Sequence, residues 1–357
     1  DNKNDQCRPD GLIVVTSGKA NPLIEWIAFV EAKVGSNKLV QSQVDQYVEF
    51  GKEIGVDNII TISNQMVSTP HESPFRTKKR NFSLYHWSWT FLKVTARRLI
   101  RAGMIQDSDH VFILTELRRY FDSHSKVTNF TNMGGNNWKE AVQKCRDVGP
   151  SGKLPASCSD VLVEAYKQEE KDVALQLTDL NKEGHYIQLD LGKEERSKSL
   201  LEMINTERVF TSSFTIDQDR TWRFDVKVNL LTSDVICSTE IEIDNGKAQA
   251  QTSALLNMLE GSGHTSNIYI NAYYPRKKRA THPNLDSITL EQLLEEKSRR
   301  GNAAYSTVNK DLGDKVKCFE IKTKDFMGAE IMAPQKFVQR LEDIAQRFLE
   351  HVMVCLR

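Results

Sequence analysis

Two short stretches decide how this chain is read: "CRPDGLIVV" at Cys7–Val15 and "FVEAKV" at Phe29–Val34. Both are rich in β-forming residues. Yet the first opens on Asp10, and the second holds Glu31 and Lys33 inside its apolar run. Charged side chains are depleted from strand interiors because burying them without a partner is costly. These charges therefore face solvent, or they face one another around something. On a strand, Glu31 and Lys33 are two apart and project from the same face.

Working outward, "LIVVTSG" ends in a Ser-Gly turn and "EWIAFVEAKV" follows it, which predicts a hairpin with its loop over residues 17–22. That hairpin brings Asp10 beside Glu31. Two adjacent carboxylates repel, and a hard divalent cation relieves the repulsion. Mg²⁺ (or Mn²⁺) suits such a site because it takes oxygen ligands and accepts a phosphate oxygen. Lys33 would stand next to the metal and offset charge on a phosphorane-like transition state. The chemistry implied is hydrolysis of a phosphodiester.

Next, Ser36 or Asn37 is expected to cap a helix running to about Glu53, with Val40, Val44, Tyr47 and Val48 at helical spacing. "DNIITIS" reads as a short buried strand. "SLYHWSWTFLKVTARRLIRAG" reads as a short strand entering a helix, and "HWSW" as the opening of that helix. A further helix is capped by Asp107 or Ser108. The order strand, strand, helix, strand predicts a mixed sheet with a crossover helix.

These residues resemble a known family. "Pro9-Asp10 … Glu31-Ala32-Lys33" is similar to the PD-(D/E)XK motif of the restriction-endonuclease-like nucleases. Gln43 and Tyr47, four apart on the next helix, resemble the Gln-x-x-x-Tyr element of its RecB-like branch. The resemblance covers about residues 8–63 by motif and extends to about 122. It implies a Mg²⁺-dependent nuclease acting on DNA. Asp10, Glu31 and the Ala32 carbonyl would hold the metal, Lys33 would be the catalytic lysine, and Gln43 and Tyr47 would position the site or the DNA backbone. Many members carry a further acidic residue on a helix before the Asp. Here only nine residues precede Asp10 and the first is not Met, so that helix is either absent or belongs to a natural N-terminal segment outside this sequence.

The cluster "NMGGNNW" marks a boundary. The expected organisation is an α/β, restriction-endonuclease-like domain over residues 1–130, with a mixed sheet flanked by helices, and a second α+β domain over 131–357. The second domain reads as helices at about 138–146 and 159–180, four strand-like runs, a helix, a strand, a basic loop, a helix, a strand and a last amphipathic helix.

Two basic runs are candidate phosphate contacts: Arg76, Lys78, Lys79 and Arg80 in "RTKKR", and Arg276, Lys277, Lys278 and Arg279 in "RKKR". Such runs are usually solvated loops. Tyr273 and Tyr274 adjoin the second run and would suit single-stranded nucleic acid, though tyrosines ending a strand more often pack an edge. His86 and its tryptophan neighbours read as core or junction residues. His264 and His282 have no partner at catalytic spacing.

Composition sets limits. Lys plus Arg equals Asp plus Glu at 48 each, which argues against wholesale coating of nucleic acid or anionic membrane. No run is apolar enough to cross a membrane. No glycine-rich phosphate loop leads into a helix, so no nucleotide cofactor is expected. Gly-x-Ser-x-Gly is missing too. The six cysteines are scattered, with no Cys-x-x-Cys, which suggests reduced thiols in a cytoplasmic protein. DNA is the expected partner, with assembly as a homodimer or larger complex left open. The competing reading is a catalytically silent nuclease-like scaffold that binds nucleic acid or a protein partner in a bacterial defence or repair assembly.

Overall fold

The computed structural model describes residues 8–18, 21–35, 37, 39–66, 73–75, 81–124, 126–127, 132–181, 185–190, 195–216, 219–244, 246–263, 265–274, 288–300 and 315–356. Both basic runs, His264 and His282 lie outside the described residues. The chain is mixed α/β and divides into two units. One is Asp1–Thr131 with Asn181–Gly184, and the other is Asn132–Leu180 with His185–Arg357.

The first unit is built on a four-stranded sheet in the order β1-β2-β3-β4. β1 (Gly11–Ser17) and β2 (Leu23–Ala32) form the antiparallel hairpin, with Gly11 opposite Val30 and Val14 opposite Ile27. α1 (Gln41–Ile54) crosses over to β3 (Asn58–Ser63), which runs parallel to β2. β4 (Ser83–Ser88) is parallel to β3. Every residue of β3 is buried, which is why "NIITIS" is a continuous run with no alternation.

The central part of the sheet, away from β1, is covered on both faces. Phe29 and Ile59 pack under Val44, Tyr47 and Val48 of α1. Ala28, Ile60 and Ile62 face the other way, against Trp89 and Leu92 of α2 (Trp89–Arg101). Because side chains alternate across a strand, Glu31 shares the α1 face with Phe29. At Gly51 the end of α1 passes so close to the chain that a Cβ would collide with the Val56 carbonyl and lie 2.8 Å from the Phe82 ring.

Two local expectations need correction. α1 begins at Gln41 with Val40 as its N-cap, and no side chain caps it. Before it, the Lys33 N–H donates to the Ile62 carbonyl at 2.8 Å and the Gly35 N–H to the Lys126 carbonyl at 2.9 Å. Likewise His86 and Trp87 belong to β4, not to a helix. The Ser88 hydroxyl accepts the Phe91 N–H at 2.9 Å and starts α2 one residue later. α3 (Ser108–Ser123) is capped by Asp107, whose carboxylate accepts the Asp109 and His110 N–H groups. Those bonds lower the Asp107 pKa, His110 first.

The second unit is α+β. Its six-stranded sheet has the order β5-β6-β7-β8-β10-β9. The strands are β5 (Ile187–Leu189), β6 (Val209–Ile216), β7 (Asp219–Asn229), β8 (Asp234–Ile241), β9 (Ile268–Tyr273) and β10 (Cys318–Phe326), and each adjacent pair is antiparallel. Along β7, Phe224, Val226 and Val228 are buried while Arg223, Asp225 and Lys227 alternate with them.

α4 (Asn136–Val148), α5 (Ala156–Leu180) and α9 (Pro334–Phe348) contribute to the buried core. Tyr166 of α5 stacks on Phe210 at 4.2 Å, and Phe348 of α9 meets Phe224 at 5.7 Å. α7 (Ala248–Leu259) and α8 (Leu290–Arg300) fall where the sequence places helices. α6 (Arg196–Thr206) lies in a segment to which the sequence reading assigned no element. Among the described residues the cysteines are free thiols, and no helix is long and apolar enough to cross a membrane.

Candidate functional site

Glu31 is 1% exposed near the end of β2, a position where an unpartnered carboxylate would be costly. It has three side-chain partners. The Lys33 ammonium pairs with Oε1. The Gln43 amide donates to Oε1 at 2.7 Å. The Tyr47 hydroxyl lies 2.6 Å from Oε2. Gln43 also donates to the Tyr47 oxygen at 3.0 Å, which closes the ring of contacts. Strand period two aligns Lys33 with Glu31, and helix period four aligns Gln43 with Tyr47, so the elements present all four groups to one point.

Asp10 stands one residue before β1. Its Oδ2 accepts the N–H of Ala32 at 2.8 Å, the residue directly after Glu31. The same region is tied to α1, because Tyr47 Oη also lies 3.1 Å from the Arg8 carbonyl. The hairpin and α1 therefore bring Asp10, Glu31, Lys33, Gln43 and Tyr47 into one neighbourhood. Within it Glu31 is the hub, and Asp10 addresses the backbone beside it.

The supports of this cluster come from further along the chain. The Lys33 carbonyl accepts the indole N–H of Trp89 at 2.9 Å. Asn64 donates to the carbonyls of Gly35 and Lys126, at 3.1 and 3.0 Å. Across the sheet, Glu31 is in register with Thr61, and Thr61 with His86. His86 is fully buried. Its Nε2 lies 3.1 Å from the Gln65 carbonyl, which can only accept, so this nitrogen carries a proton. Its Nδ1 lies 2.8 Å from the Thr61 hydroxyl. A polar row thus runs beside Glu31 under α1. The sequence reading placed Trp89 and His86 among core residues. Their polar contacts carry no signal in spacing, because both partners are distant in sequence.

The side-chain donor set at this site is oxygen-rich: two carboxylates and a phenol. Such donors fit a hard cation like Mg²⁺, which keeps several waters and needs few protein ligands. Among the described residues, no three acidic, histidine or cysteine side chains are grouped to hold a metal. A cation here would have two carboxylates and water.

No family model, no curated protein and no solved structure matches this chain.

A second polar cluster lies in the other unit. Glu170 is fully buried, and Arg196 Nε donates to its Oε1 at 2.8 Å. Arg196 also donates to the Thr211 carbonyl at 2.8 Å. The Ser212 hydroxyl donates to Glu170 Oε2 at 2.7 Å and sits 3.0 Å from the Tyr166 hydroxyl. Burial, and then the nearby Glu170 charge, pushes the Tyr166 pKa up. Every member is satisfied, so we read this cluster as structural. It is closed inside the core and offers a ligand no open coordination.

Proposed function

We propose that this chain is a metal-dependent nuclease on DNA, with the restriction-endonuclease-like core in its first unit. The single observation that carries the reading is the convergence of Lys33, Gln43 and Tyr47 on buried Glu31, with Asp10 hydrogen-bonded to the adjacent amide. A buried structural glutamate also needs both oxygens satisfied, as Glu170 shows, but there the partners close inside the core. Here four side chains from a hairpin and a helix meet at the end of a strand.

In this reading Asp10, Glu31 and the Ala32 carbonyl hold Mg²⁺ or Mn²⁺. When bound, the ion would polarise the scissile phosphate and lower the pKa of a bound water. The Lys33 ammonium offsets charge that develops on the phosphate oxygens, which is worth most in a partly dry site. Gln43 and Tyr47 fix the Glu31 rotamer through both of its oxygens, and Trp89 fixes the Lys33 backbone. Such outer contacts keep charged groups aligned through turnover.

A second reading has its own support. Both oxygens of Glu31 are satisfied by protein donors, so the network is complete without a cation. That is what a silent scaffold would show.

The test is cleavage of linear, circular and single-stranded DNA by the wild type and Lys33→Ala, with Mg²⁺, Mn²⁺ or EDTA. Metal-dependent cutting that Lys33→Ala abolishes, in a protein with an unchanged melting profile, supports the nuclease. No cutting with any metal, together with no calorimetric binding of Mn²⁺, supports the scaffold.

A further inference from the structure

β1 is an edge strand. In the order β1-β2-β3-β4 it bonds to β2 on one side, and no other described strand pairs with it. Natural edge strands are blunted by lysines, prolines or shortness, because an open edge templates pairing with another chain. β1 has none of these defences. "GLIVVTS" spans seven residues with no charge and no proline, and its one irregularity lies at Val15/Thr16. Its apolar side chains are exposed on both faces of the sheet: Leu12 54%, Val14 43% and Val15 47%. Leu23 and Ile24, opposite its far end, are exposed as well. An apolar patch of this kind on a soluble chain marks an interaction surface.

We propose that the occupant is a second copy of this chain, its β1 paired antiparallel with the first about a two-fold axis through Val14. A two-fold contact sets each residue against its mirror position, so any charge near the axis would meet its like. β1 escapes that conflict. With Val14 on the axis, Ile13 lies opposite Val15, Leu12 opposite Thr16 and Gly11 opposite Ser17. All are uncharged, and the apolar residues meet at the centre. A nucleic-acid occupant would want cations, and this strand has none. The strand is only seven residues long, so the contact is small and association is expected to depend on concentration. The axis is perpendicular to the joined sheet, which puts both α1 helices on one side. Asp10 is four residues from Val14, so at about 3.4 Å per residue the two Asp10 positions lie roughly 27 Å apart along the strands.

The experiment is sedimentation velocity of the full chain over a wide concentration range, for the wild type, Val14→Lys, Val14→Glu and an equal mixture of the two variants. Val14 is exposed, so both variants should keep the wild-type circular dichroism and melting profile. We expect a concentration-dependent wild-type dimer, two monomeric variants, and a dimer restored in the mixture, where Lys meets Glu across the axis. A wild type that stays monomeric overturns self-pairing and assigns the edge to a strand from a different protein. A dimer that survives Val14→Lys overturns the surface. A mixture that stays monomeric overturns the two-fold register. None of these readouts depends on nuclease activity.

Discussion

The Tyr47 hydroxyl reaches across from α1 to Glu31 Oε2 at 2.6 Å, and this bond decides which way the buried carboxylate points. Tyr47→Phe removes the donor while keeping the ring that packs on Phe29. The loss should cost about 1–2 kcal/mol in chemical denaturation, because Glu31 stays buried with one donor fewer. Metal affinity should fall roughly 10- to 100-fold, as it does when a ligand loses its orienting contact. Calorimetric titration with Mn²⁺ checks this. An unchanged affinity would mean that Glu31 is not a ligand.

Lys33 carries a different role. Its side chain is 25% exposed and pairs with a carboxylate that is 2% exposed. Lys33→Met keeps the stem and removes the charge. Under the proposed nuclease reading, cleavage should fall by about 10²–10³ through lost charge stabilisation. Stability should change less than for a fully buried pair, since water reaches the ammonium and Gln43 and Tyr47 still serve Glu31. Single-turnover kinetics beside a thermal melt separate the two effects.

In the second unit, Arg196→Met strands Glu170 in a dry core. Breaking a buried pair from one side costs about 3–5 kcal/mol. Arg196→Met with Glu170→Gln should recover part of that, because no net charge is then left buried. Urea denaturation of the single and double variants measures the difference.

Glu169 and Glu342 set a pH dependence. Glu169 is fully buried and neither of its oxygens has a hydrogen-bond partner. Burial first, then the charges of Asp172 and Glu342, raises its pKa well above the usual carboxylate value. Burial also raises the Glu342 carboxyl from 4.5 to about 7, against a hydrogen bond shared with Asp172 that lowers it. In both cases the folded state holds its proton to higher pH than the unfolded state. The unfolded chain therefore releases protons first, and stability falls as pH rises from 4.5 toward 7. A series of melting temperatures across that window should decline for the wild type. Glu169→Gln and Glu342→Gln should flatten the slope.

What the sequence discloses here is what local period encodes. The hairpin, the shared face of Glu31 and Lys33, and the four-residue step from Gln43 to Tyr47 all follow from repeats of two or four. What it hides is contact between distant segments. Nothing around Trp89 announces a bond to the Lys33 carbonyl. The helix Arg196–Thr206 hid in a charged stretch whose buried side chains, Leu200 and Ile204, are few. "DVALQLTDL" in α5 looks like an ordinary amphipathic turn, yet the same helix buries Glu169, Glu170, Lys171 and Asp172 together. Composition would have put such residues in solvent. Only packing from other helices and strands buries them.

The bond from Trp89 to the Lys33 carbonyl spans 56 positions, and Asn64 reaches Lys126 across 62. The hairpin can form early from neighbouring residues, but Lys33 is not held until β3, β4 and the first turn of α2 have docked. Contacts of such sequence separation form slowly, since a long loop must close first. The contacts within the cluster join residues 2, 12 and 16 positions apart, so what depends on the late docking of α2 is the backbone support of Lys33, not the cluster's own bonds.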